Sequence, residues 1–504
     1  MFDLSAEACA RIYEAGQAAL VFTRLAGDLE TPVSAFLKLS AGRNGRIFLL
    51  ESVEGGAARG RYSMIGLDPD IVWRVVNGKA EINRRALEAG GEFLPCAEPP
   101  LQALRALIAE SHIETSEELP PMAAGVFGYL GYDMVREMEH LAPAKRDSIG
   151  VPDAIMLRPS VMVVFDSVKD EIFIIAPLRP EPQTKFRAAY ERAAKRLESV
   201  VAALEGPLAF EPSPILSTST GPAQSNTPKE RFLEMVGRAK EYIRAGDIFQ
   251  VVLSQRFSAP FALPPFSLYR ALRRINPAPF LCYLDFGSFQ IVCSSPEILV
   301  RVRGGKVTIR PIAGTRWRAK TKAEDERLAA ELLADEKERA EHLMLLDLGR
   351  NDVGRVAEIG SVEVTEQFVI ERYSHVMHIV SNVEGRLSPN HDVIDALCAG
   401  FPAGTVSGAP KVRAMEIIDE LEADKRGIYG GCIGYFGAAG EMDTCIVLRT
   451  AVIKDGVMHV QAGAGIVYDS DPASEQHECI NKSQALFRAA EEAARFAAGV
   501  KRGQ

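Results

Sequence analysis

A seventeen-residue stretch divides the chain and limits how it can fold. The sequence "PSPILSTSTGPAQSNTP", Pro212 to Pro228, contains four prolines and seven serines or threonines. Such a stretch has little to bury, so it predicts a linker or a long surface loop rather than part of a core. We therefore divide the chain into an N-terminal region of residues 1–211, a linker of residues 212–226 and a second region of residues 227–504.

The patterns on either side of this stretch predict both strands and helices. We expect strands at 46–52, 70–76, 160–166, 171–177, 247–257, 280–286, 289–297, 375–385, 432–437, 445–453 and 457–467. We expect helices at 100–112, 183–205, 323–348, 411–422 and 472–496, and another that follows the linker. Thr227, Pro228 and Glu230 predict an N-cap, an N1 proline and a capping box for that helix. Adjacent strands without an intervening helix favour antiparallel sheets and an α+β fold over a doubly wound sheet.

Composition excludes several classes of protein. The formal net charge of −9 argues against nonspecific binding to nucleic acid or to an anionic membrane. The N-terminus lacks the apolar run of a signal peptide, and no run approaches the length of a membrane span. Eight scattered cysteines without a C-x-x-C pair predict reduced thiols in a cytoplasmic protein.

Two predicted helices carry pairs of glutamates beside apolar positions. In the first, Asp335 is a predicted cap, and Glu338 and Glu341 share a face with Leu345. On the inner side of the second helix, charged residues lie near apolar ones. The charged residues are Glu475, Glu478 and Lys482, and their neighbours are Cys479 and Leu486. Paired carboxylates suit Mg²⁺, which takes one or two of them and leaves its other positions to water and an anionic ligand. Two ordinary salt-bridged helices remain the alternative.

Glycine-rich segments offer backbone N–H groups to an anion. Gly463 and Gly465 follow a strand, although close strand packing is the better explanation of so short a pair. The loop "FPAGTVSGAPK" leads into a helix that begins near Pro410, but it lacks the phosphate-loop pattern. The turn "PIAGTRWR", Pro311 to Arg318, is polar except for the small and inert Ala313.

Cysteine and histidine motifs are less informative. Cys432 lies in an apolar strand and is predicted to be a packed thiol. His375 and His378, three residues apart on a strand, face opposite sides and do not form a metal pair. His378 shares a face with Val376 and Val380. It is either a hydrogen-bonded core histidine or an acid/base group in a pocket.

Seven motifs together resemble those of the chorismate-utilising enzymes. They are "PIAGTRWR", "ERAEHLMLLDLGRNDVGR", "FPAGTVSGAPK", "GGCIGYFG", "VLRT", "QAGAGIV" and "ECINK", in this order within residues 227–486. The N-terminal "FLLES" and "RYSMIG" are similar to motifs of anthranilate synthase large subunits. This resemblance implies a two-layer sandwich of largely antiparallel sheets with helices packed outside. It also implies an N-terminal regulatory region and a chorismate-binding catalytic region at 227–504.

The resemblance makes the alanine at position 313 informative about the nucleophile. In the sister family that makes aminodeoxychorismate, the matching position usually carries a lysine that attacks C2 of chorismate. In salicylate and isochorismate synthases, a lysine at the position of Gln250 activates water. This chain has neither lysine. The resemblance therefore implies that external ammonia is the nucleophile.

The resemblance also assigns roles to individual residues. It implies that Mg²⁺ is held by Glu341 and Glu478, with Glu338 and Glu475 close by. It implies that Glu297 protonates the leaving C4 hydroxyl, that His378 assists loss of pyruvate, and that Thr405 and Lys411 are secondary candidates. The implied chorismate-binding residues are Gly314, Thr315, Tyr429, Arg449, Gly463, Ala464, Gly465 and Lys482.

A partner and an inhibitor follow from the same resemblance. A separate glutamine amidotransferase subunit would supply ammonia, in a heterotetramer of two large and two small subunits. L-tryptophan would inhibit by binding Glu51 and Ser52 on one side and Pro279, Phe280 and Leu281 on the other. Family members often have Pro-Tyr-Met at the last three positions, so Phe280 and Leu281 depart from the pattern.

Two alternatives remain open from the sequence. One is the large subunit of aminodeoxychorismate synthase, which Ala313 and the tryptophan-site motif disfavour. The other is a non-catalytic sensor of tryptophan or chorismate. A sensor has no need for a metal site and a general acid together, so the glutamate pairs, Glu297 and His378 disfavour it.

Overall fold

The computed structural model describes residues 6–52, 60–88, 90–208, 221–373 and 376–497. Most of the predicted linker, residues 212–220, and His375 lie outside the described residues. No helix in the described ranges is long and apolar enough to span a membrane. All eight cysteines are described, and none forms a disulfide.

The chain alternates runs of strands with helices. The helices are α1 (Ala6–Glu14), α2 (Pro32–Ser40), α3 (Pro100–Glu110), α4 (Phe186–Glu205), α5 (Lys229–Ala245), α6 (Pro265–Ile275), α7 (Lys322–Ala334), α8 (Glu336–Gly354), α9 (Val393–Gly400), α10 (Lys411–Leu421) and α11 (Pro472–Ala497), with 3₁₀ turns at Tyr132–Glu137 and Gly404–Val406. The first strands are β1 (Ala19–Ala26), β2 (Ile47–Ser52), β3 (Tyr62–Val76), β4 (Lys79–Asn83), β5 (Leu94–Pro95), β6 (Gly125–Leu130), β7 (Ala154–Asp166), β8 (Glu171–Leu178), β9 (Gln224–Ser225), β10 (Gln250–Pro260) and β11 (Phe280–Asp285). The remaining strands are β12 (Phe289–Ser295), β13 (Ile298–Arg303), β14 (Lys306–Ile309), β15 (Ile312–Trp317), β16 (Glu363–Arg372), β17 (Val376–Arg386), β18 (Gly408–Ala409), β19 (Cys432–Gly437), β20 (Met442–Ile446), β21 (Thr450–Lys454) and β22 (Val457–Ile466).

The described strands form one continuous sheet that folds into two layers, called here sheet one and sheet two, and every strand pair among the described residues is antiparallel. Sheet one runs β1-β8-β7-β3-β2-β11-β12-β21-β22-β10. Sheet two runs β4-β3-β7-β6-β19-β20-β13-β14-β17-β16, and β15 also pairs with β17. Strands from both sides of the linker pair with one another, since β2 pairs with β11 and β6 with β19.

Two long strands belong to both sheets. The register of β3 against β7 shifts between Pro69 and Ile71, next to Asp68 with its φ of +48°. Before this shift β3 pairs with β2, and after it β3 pairs with β4. A bulge bends a strand and increases its twist, so it allows one strand to pass from one sheet to the other.

The hydrophobic core has three layers. Phe48, Phe127, Cys282 and Ile433, from strands of both sheets, fill the space between the sheets. Helices α1, α2, α4, α6 and α11 contribute to a cluster on the outer face of sheet one. Helices α3, α8, α9 and α10 contribute to a cluster against sheet two. The predicted α+β sandwich with helices outside is therefore confirmed.

Several predicted elements need correction. The strand expected at 445–453 is two strands, because the chain leaves sheet two after Ile446 and enters sheet one at Thr450. The helix expected at 323–348 is interrupted at Asp335, whose carboxylate accepts hydrogen bonds from the N–H groups of Lys337 and Glu338. That capping role of Asp335 was predicted correctly. Strands β1, β4, β6, β13 and β16 and helices α1, α2, α6 and α9 were not predicted. The predicted turn from Pro311 to Arg318 is wrong, because Ile312–Trp317 forms the bulged strand β15.

The predicted cap of α5 is wrong. The helix begins after Pro228 and has no side-chain cap. Thr227 is buried, and its hydroxyl donates to Asn226 Oδ1 instead of accepting from the helix. Its backbone N–H donates to Ser225 Oγ, in β9, so its polar groups bond to the residues before it rather than to the helix.

Candidate active site

A β-bulge in β15 places a histidine beside a glycine carbonyl. Ala313 pairs with Ile379 of β17, and Arg316 pairs with Met377, so Gly314 and Thr315 together lie opposite His378. Gly314 adopts a φ of +68°, a conformation that L side chains rarely adopt. The bulge brings Gly314 O to 2.8 Å and Thr315 Oγ1 to 3.1 Å from Nδ1 of His378.

These contacts fix the tautomer of His378. A carbonyl oxygen only accepts, so Nδ1 carries a hydrogen and donates it to Gly314, which leaves Nε2 able to accept a proton. Burial lowers the pKa of His378, and the charge of Arg449 lowers it further. The ring is therefore a neutral base near neutral pH. This arrangement favours the acid/base interpretation left open by the sequence.

Glu297 is a buried carboxylic acid in the turn between β12 and β13. Its side chain has little access to solvent, and burial raises its pKa to about 8. The Thr405 hydroxyl and the backbone N–H of Ile312 oppose this shift. Thr405 Oγ1 is itself buried, with no partner at hydrogen-bond geometry among the described residues. At neutral pH Glu297 is thus mostly protonated, as a general acid must be.

Tyr373 stands between these two groups and was missed in the sequence. Its ring centroid lies 5.6 Å from that of His378, and its hydroxyl donates to Glu371 Oε2 at 2.6 Å. The charge of Glu297 contributes to raising its pKa, after burial and Glu371. Tyr373 therefore shares one environment with both groups. It lies outside every recognised motif, so no local pattern pointed to it.

Arg449 contributes a positive charge near His378. It lies where the chain crosses between the sheets and has a φ of +46°. Burial lowers its pKa, and in the described part of the chain no carboxylate lies within 4.0 Å of its guanidinium. A partly buried arginine without an acidic partner is suited to a bidentate carboxylate ligand.

Gly463 and Gly465 present backbone N–H groups along an open strand edge. They pair with Ser254 and Val252 of β10, whose own N–H groups bond to Glu422 and Ser407. These are therefore non-hydrogen-bonded pairs of the ladder, in which both residues direct their N–H groups away from the partner strand. On that outer side of β22, strand β21 pairs only with residues 457–460, so it does not cover Gly463 and Gly465. Ala464, between them, points its N–H towards β10.

Both glycines have close neighbours, which include a backbone carbonyl at Gly463 and only the flexible Gln250 side chain at Gly465. A Cβ on Gly463 would lie 2.9 Å from the Tyr429 hydroxyl, and one on Gly465 would lie 2.5 Å from Gln250 Nε2. Tyr429 is buried and has a raised pKa because of burial. Close packing and anion binding, the two interpretations of this G-x-G, are therefore compatible here.

Four glutamates converge from α8 and α11. Glu341 and Glu475 are partly buried, and the pKa of each is raised by burial. Glu338 and Glu478 add to the shift of Glu341, and Glu478 adds to that of Glu475. Carboxylates that raise each other's pKa repel one another, and a divalent cation would relieve that repulsion.

Each of the more exposed glutamates has a basic partner. Glu478 Oε1 lies 2.7 Å from Lys482 Nζ, which also donates to Gly463 O at 2.9 Å. Glu338 Oε1 lies 3.3 Å from Arg316 Nη1. Lys482 thereby joins the glutamates to the glycine edge.

The donor set fits Mg²⁺ but is not a closed cage. Among the described residues, no three of these carboxylates bring oxygens within 4.8 Å of one another. Gln250 Nε2 donates to Glu341 Oε1 at 3.3 Å, while Gln250 Oε1 is buried without a partner. Mg²⁺ keeps several waters and uses one or two carboxylates, so an open oxygen-rich set of this kind suits it.

A cavity of about 1160 Å³ lies where the N-terminal region meets the second region. Glu51, Ser52, Pro279 and Phe280 line it. Leu281 does not line the cavity, because its side chain lies on the opposite face of β11 from Phe280 and packs on the helix-covered side of sheet one. Its neighbour Cys282 lines the cavity instead.

Glu51 is already paired inside the protein. Its Oε1 accepts from Arg273 Nε at 2.7 Å and its Oε2 accepts from Arg273 Nη2 at 3.0 Å. The Tyr269 hydroxyl also donates to Glu51. Neither residue of α6 was recognised in the sequence, because nothing in the spacing connects α6 with β2.

Other sequence candidates lie elsewhere. Lys411 Nζ forms a buried ion pair with Asp352 at 3.0 Å, which gives it a structural role between α8 and α10. Cys432 is buried, and burial raises its pKa to about 12, as expected of a packed thiol. The remaining site candidates gather around the Gly314 bulge, the glutamates and the edge of β22.

Comparison with known proteins is consistent with this arrangement. Residues 64–488 match a family described as chorismate binding enzyme. The chain is 55% identical to anthranilate synthase component 1 of Cereibacter sphaeroides over 493 residues, 98% of each chain. It is 50% identical to the Pseudomonas aeruginosa protein of the same name over 475 residues, 93% of this chain and 94% of that one.

Solved structures agree. Anthranilate synthase component I from Streptococcus pneumoniae superposes with a TM-score of 0.76 and 38% identity, covering 92% of this chain and 99% of the other. The menaquinone-specific isochorismate synthase MenF of Escherichia coli has a TM-score of 0.70 at 20% identity, with 97% and 100% covered. At that identity, the second likeness shows the fold alone.

Proposed function

The chain belongs to the chorismate-binding enzymes, among the relatives of anthranilate synthase component 1, and from this premise we propose that it converts chorismate and ammonia to anthranilate and pyruvate. One structural observation carries the proposal beyond the family. Glu297, mostly protonated, and His378, neutral with Nε2 available, lie around one glycine bulge beside Arg449, which has no carboxylate partner among the described residues. That is a proton donor, a proton acceptor and a carboxylate-binding group in one place.

The nucleophile is external in this proposal. Ala313 is a buried, inert residue at the start of the bulge, and Gln250 stands where the water-activating relatives have a lysine. The lysine that does enter the site, Lys482, is held by Glu478 and by the carbonyl of Gly463. With no side-chain amine poised as a nucleophile or base at these positions, ammonia attacks C2 of the bound ring.

Proton movements follow from the two pKa shifts. Glu297 donates its proton to the C4 oxygen as that hydroxyl leaves, which is the role its raised pKa favours. The ammonium group formed at C2 gives one proton back to the Glu297 carboxylate. His378 Nε2 then accepts the C2 proton as the bond from the ring to the enolpyruvyl oxygen breaks and the ring becomes aromatic. The enolpyruvyl group leaves as the enolate of pyruvate, which takes a proton from water. The hydrogen bond from Nδ1 to Gly314 O keeps Nε2 directed away from the bulge throughout.

Binding relies on groups without internal partners. We assign the substrate carboxylates to Arg449 and to the outward N–H groups of Gly463 and Gly465, with Thr315 and Tyr429 at the sides. Mg²⁺, held by Glu341 and Glu478 with Glu338 and Glu475 nearby, would bind the ring carboxylate and neutralise charge where several carboxylates converge. Thr405 stays a secondary candidate that tunes Glu297.

The regulatory part of the proposal concerns the Glu51 cavity. L-tryptophan carries an ammonium group and an apolar ring, which match the Glu51 carboxylate and the apolar wall near Phe280. We also propose that ammonia reaches the enzyme from a glutamine amidotransferase subunit, in a heterotetramer of two large and two small subunits. The relatives' designation as component 1 supports a second component.

A fluorescence assay tests the reaction directly. The purified chain is mixed with chorismate, Mg²⁺ and an ammonium salt at mildly alkaline pH, and anthranilate fluorescence is followed with and without tryptophan. We expect anthranilate formation that needs Mg²⁺ and that tryptophan suppresses. Glutamine should replace the ammonium salt only when the second component is added.

The alternatives give different outcomes in the same assay. Consumption of chorismate to a non-fluorescent aminated product would favour the aminodeoxychorismate reaction and overturn the proposal. Untouched chorismate with retained tryptophan binding would favour a sensor. Formation of anthranilate without suppression by tryptophan would retain the reaction and remove the regulatory assignment.

A further inference from the structure

Three buried cysteines meet between the two sheets, away from the glutamate cluster. Cys282 of β11, Cys293 of β12 and Cys445 of β20 place their sulfur atoms within 4.8 Å of one another. All three are almost completely shielded from solvent. No role in the proposed reaction involves them.

The fold brings these thiols together from distant parts of the chain. Cys282 and Cys293 lie directly opposite each other in the register of β11 and β12, so they share one face of sheet one. Cys445 approaches from sheet two, and all three belong to the core layer between the sheets. The cluster therefore joins the two layers of the sandwich at one point.

The separations suit a thiophilic metal ion. Zinc–sulfur bonds of about 2.3 Å in a tetrahedral site correspond to sulfur–sulfur distances of roughly 3.8 Å. The sulfurs need to approach by about 1 Å at most to reach that spacing. Three protein ligands leave the fourth position for water, an arrangement that zinc accepts.

An entry path exists. Cys282 and Cys445 line the same 1160 Å³ cavity as Glu51, so an ion and its water can reach the sulfurs from that cavity. Cys293 donates from its thiol to Leu448 O at 3.7 Å, and this hydrogen would be released on binding. Three buried thiolates without a cation would be very costly, whereas a dication offsets two of the three charges.

We propose that Cys282, Cys293 and Cys445 form a binding site for one thiophilic divalent cation, Zn²⁺, at the wall of this cavity. Binding replaces three thiol protons by one Zn²⁺ ion, with water completing the coordination. The site is separate from the Mg²⁺ assignment, because thiolates select Zn²⁺ while carboxylates and water select Mg²⁺. It does not depend on the proposed reaction.

Cadmium provides the spectroscopic probe. The full chain, reduced with a phosphine and freed of metals, is titrated with Cd²⁺ while the ultraviolet thiolate-to-cadmium charge-transfer band is recorded. We expect the band to saturate at one Cd²⁺ per chain and to appear only at higher Cd²⁺ concentrations when Zn²⁺ is present in large excess. Cd²⁺ bound by the glutamates gives no such band, so the two sites are distinguished.

Variants locate the site. Cys445→Ala should weaken the band-forming binding by more than about tenfold. Cys432→Ala is the matched control, because Cys432 is equally buried on the adjacent strand β19 but lies outside the three-sulfur group. Equal titrations of the two variants, or no band in the unmodified chain, would overturn the proposal.

A measurement on the unmodified chain covers the case of a variant that fails to fold. Alkylation of each cysteine is mapped by mass spectrometry with and without Zn²⁺. We expect Zn²⁺ to protect Cys282, Cys293 and Cys445 and to leave the partly exposed Cys96 unprotected. Protection that is absent, or equal at all cysteines, would show that the three thiols are only packed core residues.

Discussion

The candidate active site and the Glu51 cavity treat their charged groups in opposite ways. Around the Gly314 bulge, Arg449 has no carboxylate partner in the described chain, and the buried Gln250 Oε1 and Thr405 Oγ1 have no hydrogen-bond partner there. In the cavity, the Glu51 carboxylate accepts hydrogen bonds from two nitrogens of Arg273 and from the Tyr269 hydroxyl. One region leaves polar groups open, while the other satisfies its charge internally.

In our proposal, this difference separates the catalytic site from the regulatory one. Open polar groups are directed at a ligand in advance, which is how a site stabilises developing charge without reorganising. A carboxylate that is already paired must exchange its partner before it binds an ammonium group. Such an exchange gives two states of the Glu51 side chain, and an inhibitor that prefers one state shifts the balance between them.

Removing a metal-binding carboxylate should give the largest effect. We expect Glu341→Ala to lower kcat/KM about a thousandfold or more, some 4 kcal/mol of transition-state stabilisation. Anthranilate formation measured against Mg²⁺ concentration checks this. Glu336→Ala, an exposed position on the same helix, is the control and should stay within twofold. Near-normal turnover of Glu341→Ala would remove Glu341 from the metal assignment.

Glu297 comes next. Its replacement by Gln keeps the shape but removes the proton, so we expect kcat to fall by about 10²–10⁴-fold. In the unmodified enzyme the protonated fraction falls as pH rises through about 8, so kcat should decline with the same pKa. Glu363→Gln, on the exposed edge of β16, should leave the pH profile unchanged. An unshifted alkaline limb in Glu297→Gln would assign the acid elsewhere.

His378 should act at a later step. We expect His378→Ala to lower anthranilate formation about 100-fold and to let the aminated intermediate accumulate. The lowered pKa of His378 means that the neutral base persists to a pH below the usual histidine range, and activity should be lost only below that point. Rapid-quench analysis of products checks the accumulation. If the intermediate proceeds freely to anthranilate, the proton is taken by another group.

Substitutions of Glu51 and of its partner Arg273 test the role of the cavity. Glu51→Gln should weaken tryptophan inhibition at least tenfold and change turnover without tryptophan by much less. Arg273→Gln leaves the carboxylate with only Tyr269, so it should alter tryptophan affinity while retaining binding. Isothermal titration with tryptophan separates the two variants. Unchanged affinity in both would place the inhibitor outside this cavity.

The smallest effect concerns the helix that carries Glu338 and Glu341. Asp335→Ala removes the cap of α8 and should lower the free energy of unfolding by about 1 kcal/mol. Thr321→Ala removes the cap of α7 and is the matched comparison. Only the α8 variant should also raise KM for Mg²⁺, as measured by metal titration of activity. Equal effects on KM would mean that the first turn of α8 does not position the glutamates.

Most elements of the fold could be predicted from local patterns. The strands β2, β8, β11 and β19 and the helix α11 lie close to where alternation or helical periodicity placed them. The failures occur where tertiary contacts decide. Arg449 breaks a continuous apolar run because the chain crosses between sheets there, and Thr227 does not cap α5 because its hydroxyl donates to Asn226 Oδ1.

The candidate site shows the same division. Motifs and family resemblance named the glutamates, Glu297, His378 and the glycines, because their residue types and spacings are local properties of the chain. They could not name Tyr373, Tyr269 or Arg273, which act through contacts between distant elements. They also could not reveal that Leu281 faces away from the cavity while Cys282 lines it.

Short stretches of the chain were enough to predict the α+β class, the family and the residues that we propose to react. Their protonation and their pairing could be read only from the folded chain. Burial raised the pKa of Glu297, a bulge fixed the tautomer of His378, and α6 brought Arg273 to Glu51. These properties depend on desolvation and on distances between residues far apart in the chain, and only folding sets them.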